Sequence, residues 1–279
     1  MSIVRQSPAL AKAVAATPVA ALLEVVPPEA VARAIERSRC ADKRRRKLPA
    51  ELMAVALVVL GLFAGGTLRD AVRKTLHGLR LSSGFALAAP AGKGAICQAR
   101  YRYGPRLLRE LFALVCRPLA SPATPGAFLF GLRLLALDGT VEAVADTPAN
   151  EHAFGRPHGP RGPSAYPLLK CVYLEEGGTH AVVGALIRPY AASEQGAGRV
   201  LLRGLGAGTL LLIDRAHCCY PTLAQARAQD VHVLTRASAS LTLTPVRMLA
   251  DGTYLAQMLP GNPKAPGVSR ASASPSRCG

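Results

Sequence analysis

The sequence predicts a helical N-terminal domain followed by a mixed α/β sheet domain. Up to about residue 120, apolar residues recur at helical spacing. Ser121-Pro122-Ala123-Thr124-Pro125-Gly126 then reads as a linker by composition, and beyond it short apolar runs of strand length alternate with helical stretches. Half of the 279 residues are hydrophobic, which excludes a disordered chain and suffices for one large domain or two smaller ones.

In the N-terminal part, Pro27-Pro28-Glu29 opens a helix in the first-turn manner, and Val31 and Ile35 supply its apolar stripe. The basic link Lys43-Arg44-Arg45-Arg46-Lys47 leads into a helix from Pro49 to Phe63 that is apolar nearly all round, as the centre of a small bundle would be. Thr67 caps the next helix, through Leu68, Val72 and Leu76. A Gly-, Ala- and Pro-rich loop precedes helical segments Ile96 to Tyr103 and Pro105 to Cys116. Past the linker, Phe128 to Leu137, Leu168 to Glu175 and His180 to Ile187 read as strands, with a hairpin turn at Glu176-Gly177-Gly178. Helices are expected over Ser193 to Gly204 and Thr222 to Gln229, and strands over Thr209 to Asp214 and Val231 to Thr235. Antiparallel strands first and a mixed layer after them suit a ribonuclease-H-like fold. The tail from Pro260 lacks an apolar period and is expected to be disordered.

Two of the strands carry the chemistry. Leu134-Leu135-Ala136-Leu137-Asp138 and Leu210-Leu211-Leu212-Ile213-Asp214 are apolar runs that each end on an aspartate, so each delivers a carboxylate at a strand tip. Paired carboxylates suit a divalent cation, because magnesium prefers hard oxygen ligands. For Asp138 alone, an Asp-Gly turn is the rival reading. Lys plus Arg outnumber Asp plus Glu by 34 to 17, a formal net charge of +17. Such an excess points to a phosphate-rich partner, since each neutralised phosphate releases counterions; an arginine-biased composition is the other reading. The polar helix face carrying Gln98, Arg100 and Arg102 has residue types that read base edges, and Arg44, Arg45, Arg46 and Lys74 suit phosphates.

Other classes fall away. Seven irregularly spaced cysteines give neither a disulfide framework nor a zinc pattern, and Cys218 and Cys219 beside His217 read as buried thiols of a reducing cytoplasm. The run Leu52 to Gly66 is shorter than the roughly 20 residues of a spanning helix, so no membrane partner is expected. Gly204, Gly206 and Gly208 precede a strand, whereas a dinucleotide loop must follow one.

The ordered blocks Asp138-Gly139-Thr140, Asp146-Thr147-Pro148-Ala149-Asn150, Phe154-Gly155, Tyr166-Pro167, Glu176-Gly177-Gly178-Thr179-His180, Glu194 and Leu211-Leu212-Ile213-Asp214-Arg215 resemble the IS4 family of bacterial insertion-sequence transposases. Leu249 to Ala256 is similar to a later block, and Leu48-Pro49 with Gln98-Ala99-Arg100-Tyr101-Arg102 to the family's N-terminal domain. The resemblance spans residues 24 to 265. It implies a helical DNA-binding domain over 24–120 and a ribonuclease-H-like catalytic domain over 127–259. It also implies Mg2+ or Mn2+ as cofactor, and terminal inverted repeats and target DNA as partners, in a homodimeric synaptic complex in the bacterial cytoplasm at the nucleoid. Such enzymes hold two cations about 3.5–4 Å apart on Asp, Asp and Glu for in-line displacement at phosphorus. By motif, Asp138 is the first carboxylate and Asp214 the second, and Arg215 either contacts a phosphate or is a surface arginine.

The third carboxylate belongs to Tyr-x2-Arg-x3-Glu-x6-Lys in the family, and no glutamate follows Glu194. The catalytic domain is therefore expected to be incomplete, with the beginning of a β insertion, in a C-terminally truncated or frameshifted transposase of impaired activity. The alternative is a non-catalytic DNA-binding remnant that occupies element ends and inhibits the full-length enzyme.

Overall fold

The structure, a computed structural model, describes residues 21–44, 46–62, 65–83, 91–160, 162–237, 241, 243–260 and 276–278. It divides into two compact units, Met1–Cys116 and Arg117–Gly279. No helix among the described residues is long and apolar enough to cross a membrane.

The first unit is a bundle of α1 (Pro28–Ser38), α2 (Ala50–Leu62), α3 (Leu68–Ser83) and α4 (Lys93–Val115). Leu52, Met53, Ala54, Val55, Ala56 and Val59 are all buried, so α2 sits at the centre, as a helix apolar on every side must. Thr67 begins α3 reciprocally. Its hydroxyl accepts from the Asp70 amide at 3.2 Å, and the Asp70 carboxylate accepts from the Thr67 amide at 3.3 Å. Helix α4 is broken where the sequence divides it: Gly104 leaves helical geometry and Pro105 has no amide to donate. Tyr103, just before the break, donates to Asp42 at 2.6 Å and ties α4 to the basic link. Burial and then the Asp42 carboxylate push its phenol far above the ordinary range.

The second unit is built on a mixed sheet. Its strands are β1 (Phe128–Leu129), β2 (Leu132–Ala143), β5 (Leu168–Glu176), β6 (Val182–Pro189), β7 (Thr209–Ile213) and β8 (His232–Thr235), in the order β6-β5-β2-β7-β8 with β1 paired to β2. A small hairpin, β3 (His158–Gly159) with β4 (Gly162–Pro163), follows helix α5 (Pro148–Phe154). The β2–β5 and β5–β6 pairs are antiparallel and the β2–β7 and β7–β8 pairs parallel, the arrangement expected of the ribonuclease-H-like layer. Helices α6 (Glu194–Leu202) and α7 (Tyr220–Ala228) share one face. Leu135 and Leu137 of β2, Val172 and Leu174 of β5, and Leu211 and Ile213 of β7 form a core there with Ala197, Leu202 and Ala226. A separate sheet joins β9 (Thr244–Met248), β10 (Tyr254–Met258) and β11 (Ser276–Cys278). The tail read as structureless from residue 260 lies outside the described residues except at 260 and at β11, which pairs with β10.

Two local differences from the sequence reading have clear causes. The strand read from Phe128 to Leu137 is interrupted by a tight turn in which Phe130 and Gly131 both take positive φ, a conformation that an aromatic residue does not advertise. The strand then continues past Asp138 to Ala143, because antiparallel pairing with β5 runs through Ala143↔Leu168. Asp138 is thus mid-strand rather than at a tip, and no Asp-Gly turn forms.

The Glu176-Gly177-Gly178-Thr179 block is a structural clasp. Glu176 is 0% exposed. It accepts from the amides of Leu119 and Ala120 at 2.8 Å each, from the Thr179 hydroxyl at 2.7 Å, and from Arg133. Gly178 has φ +76, and a Cβ there would lie 2.4 Å from the Pro125 carbonyl oxygen, so only glycine admits the linker so close. Burial works to raise the Glu176 carboxyl. The bonds from Thr179, Ala120, Leu119 and Arg133 outweigh it and hold the group below its ordinary value of 4.5. A depressed carboxyl contributes stability above its unfolded value, and that contribution is lost as pH falls through the folded one. Glu176→Gln is expected to destabilise the sheet unit by roughly 2–4 kcal/mol, because the buried donors then face an amide nitrogen. In urea unfolding from neutral pH down to about pH 3, the wild-type chain should lose stability more steeply than the variant; parallel pH profiles would contradict this assignment.

A candidate carboxylate site and a basic helix

Strands β2 and β7 run in register from Arg133↔Thr209 to Leu137↔Ile213, and the next residue on each is the aspartate. Adjacent strands lie about 4.8 Å apart, so Asp138 and Asp214 stand side by side at one level of the sheet. Side chains alternate between faces along a strand. Leu135, Leu137, Leu211 and Ile213 point into the helix-covered core, which puts Asp138 and Asp214 together on the opposite face. That face is open: Leu234, the partner of Leu212, is 53% exposed, and both aspartates are exposed.

Each carboxylate is held by a backbone amide. Asp138 Oδ1 accepts from the Gly139 N–H at 2.7 Å, and Asp214 Oδ1 from the His217 N–H at 3.1 Å. Asp214 thereby caps the one-turn 3-10 helix Arg215–His217, where Arg215 is exposed beside it. Tyr173 pairs with Asp138 across the β2–β5 ladder. A hydrogen bond with Cys171, followed by burial, pushes its phenol up to about 12, so the carboxylate's neighbour stays neutral. Among the described residues, no group of three His, Cys, Asp or Glu side chains converges on one point. Asp138 and Asp214 would offer hard carboxylate oxygens, which fit a cation that keeps several of its waters, as magnesium does.

Glu194 is the nearby acid that sequence reasoning left without a role. At the first turn of α6, it lies against Gly139, where a Cβ would come within 2.5 Å of its carboxyl carbon. Gly139 alternates with Asp138, so Glu194 approaches from the helix face and does not join the aspartate pair. Its Oε1 lies 3.3 Å from Nε2 of His217, a ring only 1% exposed. Cys218 is buried and Cys219 half-buried, and neither is in a disulfide. Asp146 is engaged elsewhere: Arg156 bridges it to Glu151, while Thr147 caps α5 by accepting from the Asn150 amide at 3.2 Å.

The chain's N-terminal candidates divide into two groups. Ile96, Ala99, Tyr103, Leu107 and Leu111 define the buried side of α4, so Gln98 and Arg100 face solvent. Tyr101, between them and Arg102, is 86% exposed and was not singled out by sequence reasoning, although its offset from the buried stripe places it outermost. Arg102 is exposed too, but it turns to Asp42, at 3.6 Å, and donates to the Tyr103 hydroxyl at 2.9 Å. Arg46 Nε likewise lies 3.4 Å from Asp42. Arg44 is exposed and Lys74 half-buried, while Arg45 falls outside the described residues.

Residues 16–113 match the family described as the N-terminal domain of the insertion element 4 transposase. The chain is 30% identical over 200 residues to transposase InsG for insertion sequence element IS4 of Escherichia coli strain K12, covering 72% of this chain and 44% of that protein. These matches support an IS4-family transposase. A second relative, putative transposase InsZ of the same strain, is 26% identical over 193 residues, covering 69% of this chain and 62% of InsZ. The chain thus spans about half to two thirds of the length of these relatives. Among solved structures, it is similar at 12% identity to a piggyBac transposase synaptic complex with hairpin DNA (TM-score 0.43, covering 87% of this chain and 58% of that one) and to a Mos1 transposase paired-end complex (TM-score 0.27, covering 71% and 80%).

The close approach of Gly139 to Glu194 is testable. Gly139→Ala should destabilise the sheet unit by about 1–3 kcal/mol through overpacking. Adding Glu194→Ala should restore most of that loss in a double-mutant cycle followed by urea unfolding; simple additivity would show that the two residues do not meet.

Proposed function

We propose that this chain carries the cation-binding and DNA-holding parts of an IS4-type DNA transposase. The observation that carries the reading is the in-register placement of Asp138 and Asp214 on the open face of the sheet. Magnesium or manganese bound there would supply Lewis-acid stabilisation and activation of an oxygen nucleophile for in-line displacement at phosphorus. Asp138 and Asp214 hold it, with the Gly139 and His217 amides orienting their carboxylates. Arg215, exposed next to Asp214, offers a cation to a neighbouring phosphate. Gln98 and Arg100, with Tyr101 between them, form the face that meets terminal inverted repeats, with Arg44, Arg45 and Lys74 contributing charge. Arg46 and Arg102 act through Asp42. Target DNA and a second copy of the chain in a synaptic complex complete the reading, in the bacterial cytoplasm at the nucleoid.

Because no third carboxylate among the described residues converges with the aspartate pair, these 279 residues by themselves cut DNA far more slowly than a three-carboxylate relative. That same observation supports a second reading, a DNA-binding polypeptide that occupies element ends and inhibits a full-length transposase.

Gel-shift and nicking assays on DNA bearing the ends of the encoding element separate these readings. The first predicts binding, with slow manganese-dependent nicking that Asp138→Ala and Asp214→Ala abolish. Binding without nicking favours the inhibitor, and absence of both rejects the pair. Arg100→Ala should weaken binding to the element ends by about 1–3 kcal/mol and relax their preference over unrelated DNA; an unchanged preference would remove Arg100 from the reading face.

A further inference from the structure

The turn that carries Asp214 is held by the first turn of α6, and the holding side chains come from an element outside the aspartate pair. Residues 214–219 leave β7 through a 3-10 turn whose backbone bonds are long. The His217 amide reaches the Asp214 carbonyl oxygen at 3.2 Å, and the Cys218 amide that of Arg215 at 3.2 Å. Asp214, Arg215 and Ala216 are exposed, so packing does little to fix this part of the turn. Gln195 spans it instead. Its Nε2 donates to the Ala216 carbonyl oxygen at 2.6 Å, and its Oε1 accepts from the Cys219 thiol at 3.8 Å. On the inner side, the His217 ring is buried against α6. A Cβ on Gly198 would sit 3.0 Å from the imidazole, and Glu194 Oε1 lies 3.3 Å from Nε2, a buried atom without a well-formed hydrogen bond.

We infer that Gln195 and the Glu194–His217 pair are positioning residues for the second carboxylate, setting the His217 amide that orients Asp214. The inference rests on the reading of Asp138 and Asp214 as a cation site. Its logic is short. The Asp214 side chain follows the His217 N–H at 3.1 Å, and that N–H follows a turn clamped from above by Gln195 and from within by the buried ring. A carboxylate misplaced by about 1 Å serves a cation or a reacting group poorly, and side chains that orient ligands commonly change metal affinity by about 10–100-fold.

The test uses the full chain at one neutral pH and the metal alone. Manganese affinity is measured by electron paramagnetic resonance of free Mn2+, beside hydrogen exchange of residues 214–219 and the melting temperature. Gln195→Met keeps the side chain's length without its donor and acceptor. His217→Phe keeps a buried ring without a partner for Glu194, and remains informative if the first variant does not fold. Each is expected to weaken Mn2+ binding about tenfold and to speed exchange at 214–219, while the melting temperature stays within a few degrees. If both variants bind Mn2+ within about twofold of wild type while Asp214→Ala abolishes binding, the two contacts are merely structural and the inference fails alone. If wild-type binding is absent, or survives Asp138→Ala and Asp214→Ala, the cation reading itself fails and takes the inference with it.

Discussion

Glu176 lies fully buried at the end of β5, ionised, and bonded to groups from three separate stretches of chain. A buried carboxylate without partners would neutralise or expel itself, so this one dictates where its donors must be. The Leu119 and Ala120 amides bring the start of the unit onto the sheet, Arg133 fixes the beginning of β2, and Thr179 closes the β5–β6 turn. The Leu135↔Glu176 pairing then counts three rungs along the ladder to Asp138↔Tyr173. The face on which the first aspartate emerges is therefore set from the far end of the strand by an interaction that never touches it.

The N-terminal bundle uses a second polar anchor differently. Asp42 gathers the Tyr103 hydroxyl, the Ala50 amide at 3.1 Å, Arg46 and Arg102. Two of the basic residues that look alike in sequence are thus occupied in joining the basic link to α4, and Gln98, Tyr101 and Arg100 are left on the outer surface. Basic charge marks a region as fit for phosphates, but an internal acid decides which cations remain available to them.

Much of the architecture was legible in the sequence because it is written in burial. The α2 core helix, the β7 run Thr209–Ile213 and the Gly104–Pro105 break all follow from apolar periodicity or from residues with restricted backbones. The aspartate pair was legible for the same reason, each acid closing an apolar run. Other features depend on tertiary neighbours and leave no local trace. The Phe130–Gly131 turn hides inside an apolar run, and Arg102 differs from Arg100 only by facing Asp42. Glu194 and Gln195 gain their roles from a turn about twenty residues away. Asp138 was placed at a strand end because its apolar run stops there; the continued pairing with β5 could be seen only once the partner strand was known.

The mid-strand position of Asp138 also shapes how this protein can change over evolutionary time. An acid on a loop can drift as the loop lengthens or shortens, and the fold absorbs the difference. Here the acid is one rung of a ladder nine residue pairs long, from Leu135↔Glu176 to Ala143↔Leu168. Exchanging the residues on either side leaves its orientation intact so long as they suit a strand. Gaining or losing a single codon between Leu135 and Asp138 would turn the carboxylate through the sheet toward the helices, unless a bulge took up the slip. The centre should accordingly be permissive to point substitution and brittle to insertion and deletion, and its lineage should record changes of side chain far more often than changes of length.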